Sequence, residues 1–413
     1  KSSLILCVKD DFLSVYFYSV PNLRFREFSF PWHQTPIKDL LSFQNGINGA
    51  PEQYGKGIKY ISVGDILNNY YITYDKIVGS IDISQETLKN YSVTYGDILF
   101  QRSSEIKDDI GRTNVYLDKD NTATFGGFVI RGKKIGDYNP SFFSFLLKSP
   151  SSRKSIVRLG AGAQHYNIGQ ENIKTLSFYF PNEMEQVKIA NLLSKIDERI
   201  QTQIKIISDY TFLLNLLRDK LLYDKNHKKI KLSTLISIYN GYAFKSNNYK
   251  ANAKYKIITI GNVTGDRYIN LDSINTIDKL PSDIQQHQII NKGSILVSLT
   301  GNVGRTSICN EDDCLLNQRV ALVKSKNINE KFIYHILSSS RFLNKMISSS
   351  QGAAQKNIST KDILNYEITL LSKERMEYVT LLLEKIENKI NYEKNILEHL
   401  YTQKQYFLKN MFI

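Results

Sequence analysis

The chain has 413 residues, and its 54 lysines and arginines exceed its 40 acidic residues, so the formal charge is +14 and the pI is about 9.3. A composition of 42% hydrophobic and 23% charged residues, with 8 prolines and 22 glycines, excludes a disordered or collagen-like chain and predicts two or more folded domains. The sequence shows no apolar run that predicts a membrane span or a signal peptide, and its three cysteines without histidines at metal spacing argue against a disulfide framework or zinc site, so we expect a reducing cytoplasm.

An internal repeat organises the chain after residues 1–20, which have no counterpart in the second half. The matched segments are Lys59–Ile66 with Lys256–Val263, Gly96–Leu99 with Gly293–Leu296, Gly111–Thr113 with Gly304–Thr306, and Gly160–Gln164 with Gln351–Gln355. Their order is kept while their spacing drifts by a few residues. This pattern indicates two duplicated domains that have diverged in their loops.

Each half begins with short β-type runs and continues into a helical segment. Runs such as Ile58–Val63 and Ile295–Leu299 are rich in β-branched residues and are punctuated by glycine and asparagine. Apolar residues at helical spacing then predict a helix over residues 140–159 in the first half and over 330–347 in the second. Each half is therefore predicted to be an α+β globule.

Both globules are followed by a long helix whose apolar residues alternate at spacings of four and three, as in the seam of a coiled coil. The predicted seam residues are Ile196, Ile200, Gln203, Ile207 and Leu214 in the first helix, and Ile386, Ile390, Glu393, Leu397 and Phe407 in the second. When Ile196 is aligned on Ile386, both seams carry one polar residue at the same step, which usually fixes register. We expect the two helices to pack antiparallel and to form a rod of ~60 Å between the globules.

These patterns predict one fold class and five regions. The fold class is α+β, with two similar globular domains, each followed by a long helix, and with the two helices forming an antiparallel coiled coil. The predicted regions are a lead-in over 1–35, a first globule over 36–181, a first helix over 182–222, a second globule over 223–371 and a second helix over 372–413.

Positive charge is concentrated in the globules. Residues 223–371 hold 20 basic against 11 acidic side chains, whereas residues 182–222 hold six of each. This distribution is expected if the globules meet a polyanion and the helices meet protein. A surface that is basic only because the chain is rich in lysine stays open as the alternative on charge alone.

Three fragments imitate catalytic motifs without completing them. Gly301–Thr306 resembles the end of a phosphate-binding loop but lacks its first glycine and its lysine. Asp97 with Glu105 and Lys107 imitates a metal-dependent nuclease, yet the second half has a serine in place of Asp97. Asn139–Phe142 resembles a loop of amino-methyltransferases, but a helix N-cap explains it more simply. The sequence therefore predicts neither catalytic nor metal-binding residues.

Polar and basic residues in the loops of both halves are the candidates for binding DNA. Arginine suits guanine edges and phosphates, and asparagine or glutamine suits adenine edges. Asn317–Arg319 has this chemistry, whereas the first half is aligned there with Phe125–Gly127. Solvated turn or cap roles are the alternative for each candidate. The predicted DNA-binding residues are Gln101, Arg102, Arg112, Gln164, Lys245, Asn302, Arg305, Gln318, Arg319 and Gln355.

In combination, the duplicated motifs resemble the specificity subunit of type I restriction-modification systems over about residues 21–413. Each motif alone is weak, but their duplication in the same order is fairly specific. The motifs that carry the resemblance are Gly96–Leu99 and Gly293–Leu296, Gly111–Thr113 and Gly304–Thr306, Asn317–Arg319, Gln164–Ile168 and Gln355–Ile358, the helix openings at Glu185 and Glu377, and Pro21–Phe25 with Trp32.

The resemblance implies a non-catalytic DNA-recognition subunit. Each globule would be a target recognition domain that reads one half of a bipartite, asymmetric site in double-stranded DNA. The antiparallel helices would set the gap between half-sites and dock two modification subunits. No cofactor is expected in this chain, since S-adenosylmethionine would belong to the modification subunits and ATP and Mg²⁺ to the motor-nuclease restriction subunits.

Two other functions stay open from the sequence. The chain could serve a bifunctional type II enzyme that both cuts and methylates DNA, which the neighbouring partner gene would reveal. It could also be a basic coiled-coil scaffold, which would bind heparin and random DNA without sequence preference once salt is raised.

Overall fold

The computed structural model describes residues 3–4, 17–18, 20–162, 164–223, 228–350 and 357–413. The chain divides into two compact units, unit 1 with residues 1–203 and 396–413, and unit 2 with residues 204–395. Each unit therefore takes part of both long helices, whereas the five predicted regions kept each helix whole. Among the described residues, no helix is both long and apolar enough to cross a membrane.

The elements of unit 1 are short strands, short helices and parts of two long helices. Its strands are β1 Ser3–Leu4, β2 Phe17–Tyr18, β3 His33–Pro36, β4 Leu41–Asn45, β5 Tyr54–Ile61, β6 Ser80–Ile81, β7 Ile98–Gln101, β8 Ser103–Ser104, β9 Thr113–Val115, β10 Thr124–Phe125, β11 Val129–Lys134, β12 Tyr166–Asn167 and β13 Ser177–Phe180. Its helices are α1 Ile37–Leu40, α2 Val63–Asn68, α3 Gln85–Asn90, α4 Pro140–Lys148, α5 Pro150–Val157, α6 Gln170–Lys174, the start of α7 Glu183–Leu221 and the end of α11 Lys373–Asn410.

The core of unit 1 forms around a four-stranded antiparallel sheet in the order β4-β11-β7-β9. Phe142 and Phe143 of α4 are fully buried in the same cluster as Phe100 of β7 and Ile130 of β11. A smaller sheet, in the order β10-β5-β6, contains a parallel pairing of β5 with β10. Strand β3 pairs with β13, so the predicted boundary between residues 35 and 36 lies inside a strand of this unit.

Unit 2 contains the same kinds of element. Its strands are β14 Lys229–Lys231, β15 Ile236–Asn240, β16 Tyr255–Ile258, β17 Asn275–Ile277, β18 Ile289–Ile290, β19 Ile295–Ser298, β20 Thr306–Ile308, β21 Cys314–Leu316, β22 Val320–Ser325 and β23 Glu367–Thr369. Its helices are α8 Glu330–Leu337, α9 Ser340–Ser349, α10 Thr360–Leu364, the end of α7 and most of α11 Lys373–Asn410.

The sheets of unit 2 repeat those of unit 1. The antiparallel sheet has the order β15-β22-β19-β20, and β16 runs parallel to β21 as β5 does to β10. Strand β14 pairs with β23 as β3 pairs with β13. The shared strand order confirms the predicted duplication of one α+β plan.

Each predicted helical segment consists of two short helices rather than one. In unit 1, Pro150 cannot donate a backbone hydrogen bond to continue α4. Ser149 instead caps α5, and its Oγ accepts from the backbone N of Ser152 at 3.3 Å. In unit 2, Ser339 caps α9 in the same way and accepts from the N of Phe342 at 3.2 Å. Serine at an N-cap therefore starts a new helix in both units.

The two long helices pack antiparallel, as predicted. In unit 1, Ile196 in the early part of α7 lies in one core cluster with Leu408 in the late part of α11. In unit 2, Leu214 in the late part of α7 lies in one cluster with Leu383 in the early part of α11. Opposite ends of the helices therefore meet in each unit.

The predicted seam residues lie in or against these cores. Ile196, Ile200, Gln203, Leu214, Ile390 and Glu393 are buried, and Ile207, Ile386, Leu397 and Phe407 are partly buried. The two polar residues of the seam are only 8% and 6% exposed. Burial at these positions supports their assignment to the packed face of each helix.

Candidate DNA interface

In unit 1, the residue after β7 and the residue before β11 continue the hydrogen bonding between these two strands. The backbone N of Arg102 donates to the O of Phe128 at 2.9 Å. The backbone N of Ile168 then donates to the O of Arg102 at 3.0 Å, so a third segment closes over this end of the sheet. We call Arg102, Phe128 and residues 164–168 the loop edge of unit 1.

Unit 2 presents the same backbone arrangement. The N of Leu299 donates to the O of Arg319 at 2.9 Å, and the N of Ile358 donates to the O of Leu299 at 2.9 Å. We call Leu299, Gln318, Arg319 and Ile358 the loop edge of unit 2. The two loop edges therefore share a hydrogen-bonded frame, although their side chains differ.

A tight turn leads into the second strand of each frame and corrects the predicted alignment. Val129 N donates to Gly126 O at 2.8 Å in unit 1, and Val320 N donates to Asn317 O at 2.9 Å in unit 2. The third turn residue is thus Phe128 in one unit and Arg319 in the other. Asn317–Arg319 corresponds to residues 126–128, one position later than the sequence alignment placed it.

Different side chains stabilise the two turns. In unit 1, Nη1 of the half-buried Arg102 donates to the O of Gly127 at 3.2 Å. In unit 2, the matched Leu299 is 8% exposed and has no donor, and the Oδ1 of Asn317 instead accepts from the N of Arg319 at 3.2 Å. Phe128 is 68% exposed and Arg319 is exposed.

Three further predicted residues are exposed near these frames. Lys245 follows residues 242–244, and Gln318 N donates to Tyr242 O at 2.9 Å, so this segment lies beside the turn. Gln164 lies in a loop whose next strand, β12, pairs with β8. Asn302 lies between β19 and β20, and its O accepts from Ser298 Oγ at 2.5 Å.

Four predicted DNA-binding residues have other placements. Gln101 is 5% exposed and its Nε2 donates to Ser103 O at 2.9 Å, so the structure gives no support to a direct DNA contact by this side chain. Arg112 is exposed and its Nη2 lies 2.5 Å from Asp109 Oδ1. Arg305 lines a cavity of about 320 Å³ with Asp266 and Ser338, among others. Gln355 lies outside the described residues.

The globule of unit 2 meets the long helices through a group of charged and polar side chains that is largely buried, with Lys331 exposed at its edge. We call this group the ion cluster, and its members are Arg218, Arg267, Lys331, Tyr334, His335, Glu384 and Glu387. Measured distances are 3.0 Å from Arg218 Nη2 to Glu387 Oε1, 2.9 Å from Arg267 Nη2 to Glu384 Oε2, 3.0 Å from Lys331 Nζ to Glu384 Oε2, and 2.9 Å from Tyr334 Oη to Glu387 Oε1. Arg267 also pairs with Glu387.

Burial and charge shift the pKa values inside the ion cluster. Burial lowers the pKa of His335, so this imidazole is neutral at pH 7. Burial alone would raise the pKa of Glu384, but the nearby Nε2 of His335 at 3.3 Å and hydrogen bonds from Arg267 outweigh it and hold that pKa well below its ordinary value. The cluster therefore joins the carboxylates of α11 to cations on α7 and on the globule.

The geometry of the ion cluster also raises the question of a metal ion. His335, Glu384 and Glu387 place possible ligand atoms within 4.8 Å of one another. Arginines already pair with both carboxylates, and Arg218 Nη2 lies 3.3 Å from Nδ1 of His335. Since these cations neutralise the carboxylates, we assign no metal to this cluster.

The corresponding junction of unit 1 has different chemistry. Three landmarks match positions between the units. The asparagine N-caps align α4 with α8, and Ile196 aligned on Ile386 matches α7 with α11. The backbone N of Ile72 donates to Val115 O as the N of Ile269 donates to Ile308 O, which aligns the segments before these residues. The matched residues are Tyr70 for Arg267, Ser141 for Lys331, Ser144 for Tyr334, Phe145 for His335, Ser194 for Glu384 and Asp197 for Glu387. One carboxylate thus replaces two.

A cleft occupies this junction in unit 1. All six matched residues line a cavity of about 950 Å³ between the globule and α7. Lys404 Nζ lies 2.6 Å from Asp197 Oδ1. Lys148 Nζ donates to Tyr70 O at 3.0 Å, and burial lowers the pKa of Lys148 to about 8. The matched cavity of unit 2, lined by Arg267, Lys331 and Tyr334 among others, is about 310 Å³, so small polar side chains leave a larger space open in unit 1.

Comparison with known proteins decides the family. Residues 31–207 and 224–401 each match the family described as type I restriction modification DNA specificity domain. The chain belongs to this specificity family. It is similar to a protein provisionally named the MjaX type I restriction enzyme specificity subunit of Methanocaldococcus jannaschii, at 24% identity over 395 residues that cover 89% of this chain and 90% of the relative.

Solved structures agree with the specificity family in fold. The S subunit of the type I restriction-modification system from M. genitalium has a TM-score of 0.57 at 17% identity, covering 96% of this chain and 99% of that one. A chain from a structure on complex assembly and conformational transition of the type I system has a TM-score of 0.56 at 12% identity, covering 92% and 98%.

Two features of this specificity-family chain were missed by sequence reasoning. Phe128 was overlooked because the alignment of its turn was one position early. Arg24 was not singled out either, although its Nε and Nη2 donate to Glu185 at 2.8 and 2.7 Å and Trp32 Nε1 donates to the same carboxylate at 3.4 Å. The pairing of Pro21–Phe25 and Trp32 with the helix opening at Glu185 could have suggested this contact.

Proposed function

We propose that this chain is the DNA-reading subunit of a type I restriction-modification complex. Each unit would read one half of a bipartite, asymmetric site through its loop edge. One observation carries the proposal. The two loop edges keep the same hydrogen-bonded frame while Arg102 and Phe128 are replaced by Leu299 and Arg319. A duplicated frame with different side chains suits two half-sites of different sequence.

The long helices are proposed to dock two modification subunits and to set the gap between the half-sites. Helix α7 runs unbroken for 39 residues from unit 1 into unit 2, which is a length of ~58 Å. Exposed apolar side chains on its surface, such as Phe212 at 71% and Met184 at 77%, are suitable for contact with protein.

Catalysis in this proposal belongs to the partner subunits. The modification subunits would bind S-adenosylmethionine and transfer methyl groups to adenine, and the restriction subunits would use ATP and Mg²⁺. This chain would supply sequence recognition and assembly. The double-stranded DNA would approach the basic globules, chiefly unit 2.

Methylation sequencing of the source genome with and without this gene tests the proposal. We expect loss of one gapped adenine motif, which would also reveal both half-sites. If every motif persists in a strain whose modification genes are expressed, the DNA-reading role is wrong. The scaffold alternative would then predict unchanged methylation together with capture of partner proteins.

A second experiment tests the spacing role. Removal of one heptad from α7 and the facing heptad from α11 should shorten the methylated gap and leave both half-sites unchanged. Removal of a heptad from one helix alone is the control, and we expect it to abolish methylation because the seams fall out of register. An unchanged gap in the doubly shortened protein would defeat the idea that the helices set the spacing.

A further inference from the structure

We propose that Phe128 and Arg319 are equivalent specificity-determining residues, with Phe128 contacting the methyl group of a thymine and Arg319 contacting the edge of a guanine. This inference rests on the proposed DNA-reading role. It assigns one A·T pair to the half-site read by unit 1 and one G·C pair to the matched position of the other half-site.

The backbone places these two residues identically. Each is the third residue of a four-residue turn, and each carbonyl accepts a hydrogen bond from the first residue beyond the opposite strand, Arg102 or Leu299. That opposite residue in turn accepts from Ile168 or Ile358. The two side chains therefore leave the same point of the same frame.

The turn of unit 1 is rigid enough to orient Phe128. A Cβ at Gly126 would lie 2.3 Å from the Oη of Tyr60, and one at Gly127 would lie 2.0 Å from the Oδ1 of Asn48, so these two side chains pack directly against the turn. Arg102 also donates to the carbonyl of Gly127 at 3.2 Å. Arg102 is thus a positioning residue for the turn in unit 1.

The two side chains have complementary preferences for bases. Phe128 has 68% of its surface exposed, and its ring offers an apolar contact that suits the thymine methyl group in the major groove. Arg319 has no ion pair among the described side chains, so its guanidinium is available for the O6 and N7 acceptors of guanine. Replacing Phe128 by arginine, or Arg319 by phenylalanine, should therefore change the base-pair preference at the corresponding position.

The test uses the full chain in its complex, expressed from the genome with its modification subunits. Phe128→Arg should change one base pair of one half-site from A·T to G·C, with a preference shift of about 5- to 150-fold, and should leave the other half-site unchanged. Arg319→Phe should remove a G·C preference from the other half-site only. Methylation sequencing reads both outcomes.

Phe30→Arg is the matched control, because Phe30 is 72% exposed in unit 1, is not one of the loop-edge residues and gains the same charge. We expect it to leave the motif unchanged. Thermal melting of each purified complex checks folding. If Phe128→Arg does not fold, Phe128→Ala replaces it and should relax the preference at one position.

The outcomes separate the inference from the proposed function. If gene deletion removes a motif but folded Phe128 variants keep it unchanged, the inference is wrong and the DNA-reading role stands. Equal weakening on every sequence would also overturn it, since Phe128 would then be a general contact. If deletion removes no motif, the proposed function itself fails.

Discussion

The junctions between globule and helix differ more than the globules do. In unit 2, Glu384 and Glu387 of α11 are both under 10% exposed and pair with cations on the globule and on α7. In unit 1, Ser194 and Asp197 occupy the matched positions, and a cleft of about 950 Å³ lies beside them. The matched cavity in unit 2 is about 310 Å³, so the same backbone plan supports a charged, tighter junction and a polar, more open one.

This difference shows which parts of a duplicated fold are free to change. The strand order and the frames of the loop edges are kept, because each depends on backbone hydrogen bonds that many side chains tolerate. A buried ion cluster, in contrast, changes only as a set, since one charge left without its partner is costly. Serine at Glu384's matched position therefore accompanies the loss of Arg267 and Lys331.

The largest expected effect is the loss of a cluster carboxylate. Glu387→Gln removes the charge that pairs with Arg218 and Arg267. We expect it to destabilise unit 2 by about 3–5 kcal/mol, because the buried Arg218 loses its carboxylate partner and Arg267 keeps only Glu384. Asp197→Asn, at the matched position, should cost roughly 1–2 kcal/mol, since Asp197 and Lys404 keep some exposure. Hydrogen exchange in α8 and α4 measures both.

Equal losses for the two variants would contradict the comparison of the junctions. A larger loss for Asp197→Asn would show that the pair with Lys404, rather than the ion cluster, is the stronger support.

The next effect concerns the loop edge of unit 2. Arg319→Ala should weaken binding to the native DNA site by about 1–3 kcal/mol. On a duplex in which the base pair read by Arg319 is already substituted, the variant and the wild type should bind almost equally. Arg375→Ala is the matched control, because Arg375 is an exposed arginine in the first turn of α11 and is not among the predicted DNA-binding residues. We expect it to leave base preference unchanged. Binding titrations with DNA duplexes altered one pair at a time distinguish the two variants.

A loss for Arg319→Ala that is equal on all duplexes and has a smaller salt dependence would mark Arg319 as a phosphate contact.

Acid should affect unit 2 more than unit 1 through His335. Burial lowers the pKa of His335 in the folded protein, so at pH values near and below its ordinary pKa of 6.5 the unfolded chain binds more protons than the folded one. Stability is therefore lost as the pH falls through that value. Glu384, with its lowered pKa, adds a loss only below about pH 4.5.

His335→Gln removes the titrating group and should flatten this dependence. The matched Phe145 cannot titrate, so exchange in α4 gives the internal control. If the pH dependence of exchange in α8 is the same in the variant, His335 is not its source.

The sequence predicted those features that periodicity and repetition encode. The duplication and the antiparallel seam around Ile196 and Ile386 follow from repeated spacing, and the structure confirms both. The helix break at Ser149 was missed because apolar spacing continues across it, even though Pro150 marks it. Of the DNA-binding predictions, which stay untested, Arg102 and Arg319 lie at the loop edges, whereas Gln101 is buried.

The remaining features depend on contacts between distant segments. Phe128 became a candidate only when the turn at residues 126–129 fixed its register against Arg319. The ion cluster joins residues from 218 to 387, and no local spacing signals that Arg267 and Glu387 are neighbours. From the sequence alone, a charged residue on a helix is interpreted as exposed to solvent, because its ion-pair partner is not known.

The smallest expected effect tests the open junction of unit 1 through Lys148. Burial lowers its pKa to about 8, below the ordinary value near 10.5, so the unfolded chain binds more protons between these values. The stability of unit 1 should therefore rise with pH, by about 0.5–1 kcal/mol between pH 7 and 8.5. Lys148→Met removes the group, so the wild-type stability relative to this variant in urea unfolding should rise by that amount. A difference that stays flat with pH would mean that water in the cleft solvates the ammonium group. The open junction would then hold its lysine at little cost, and the contrast with the ion cluster would be one of hydration rather than of charge pairing.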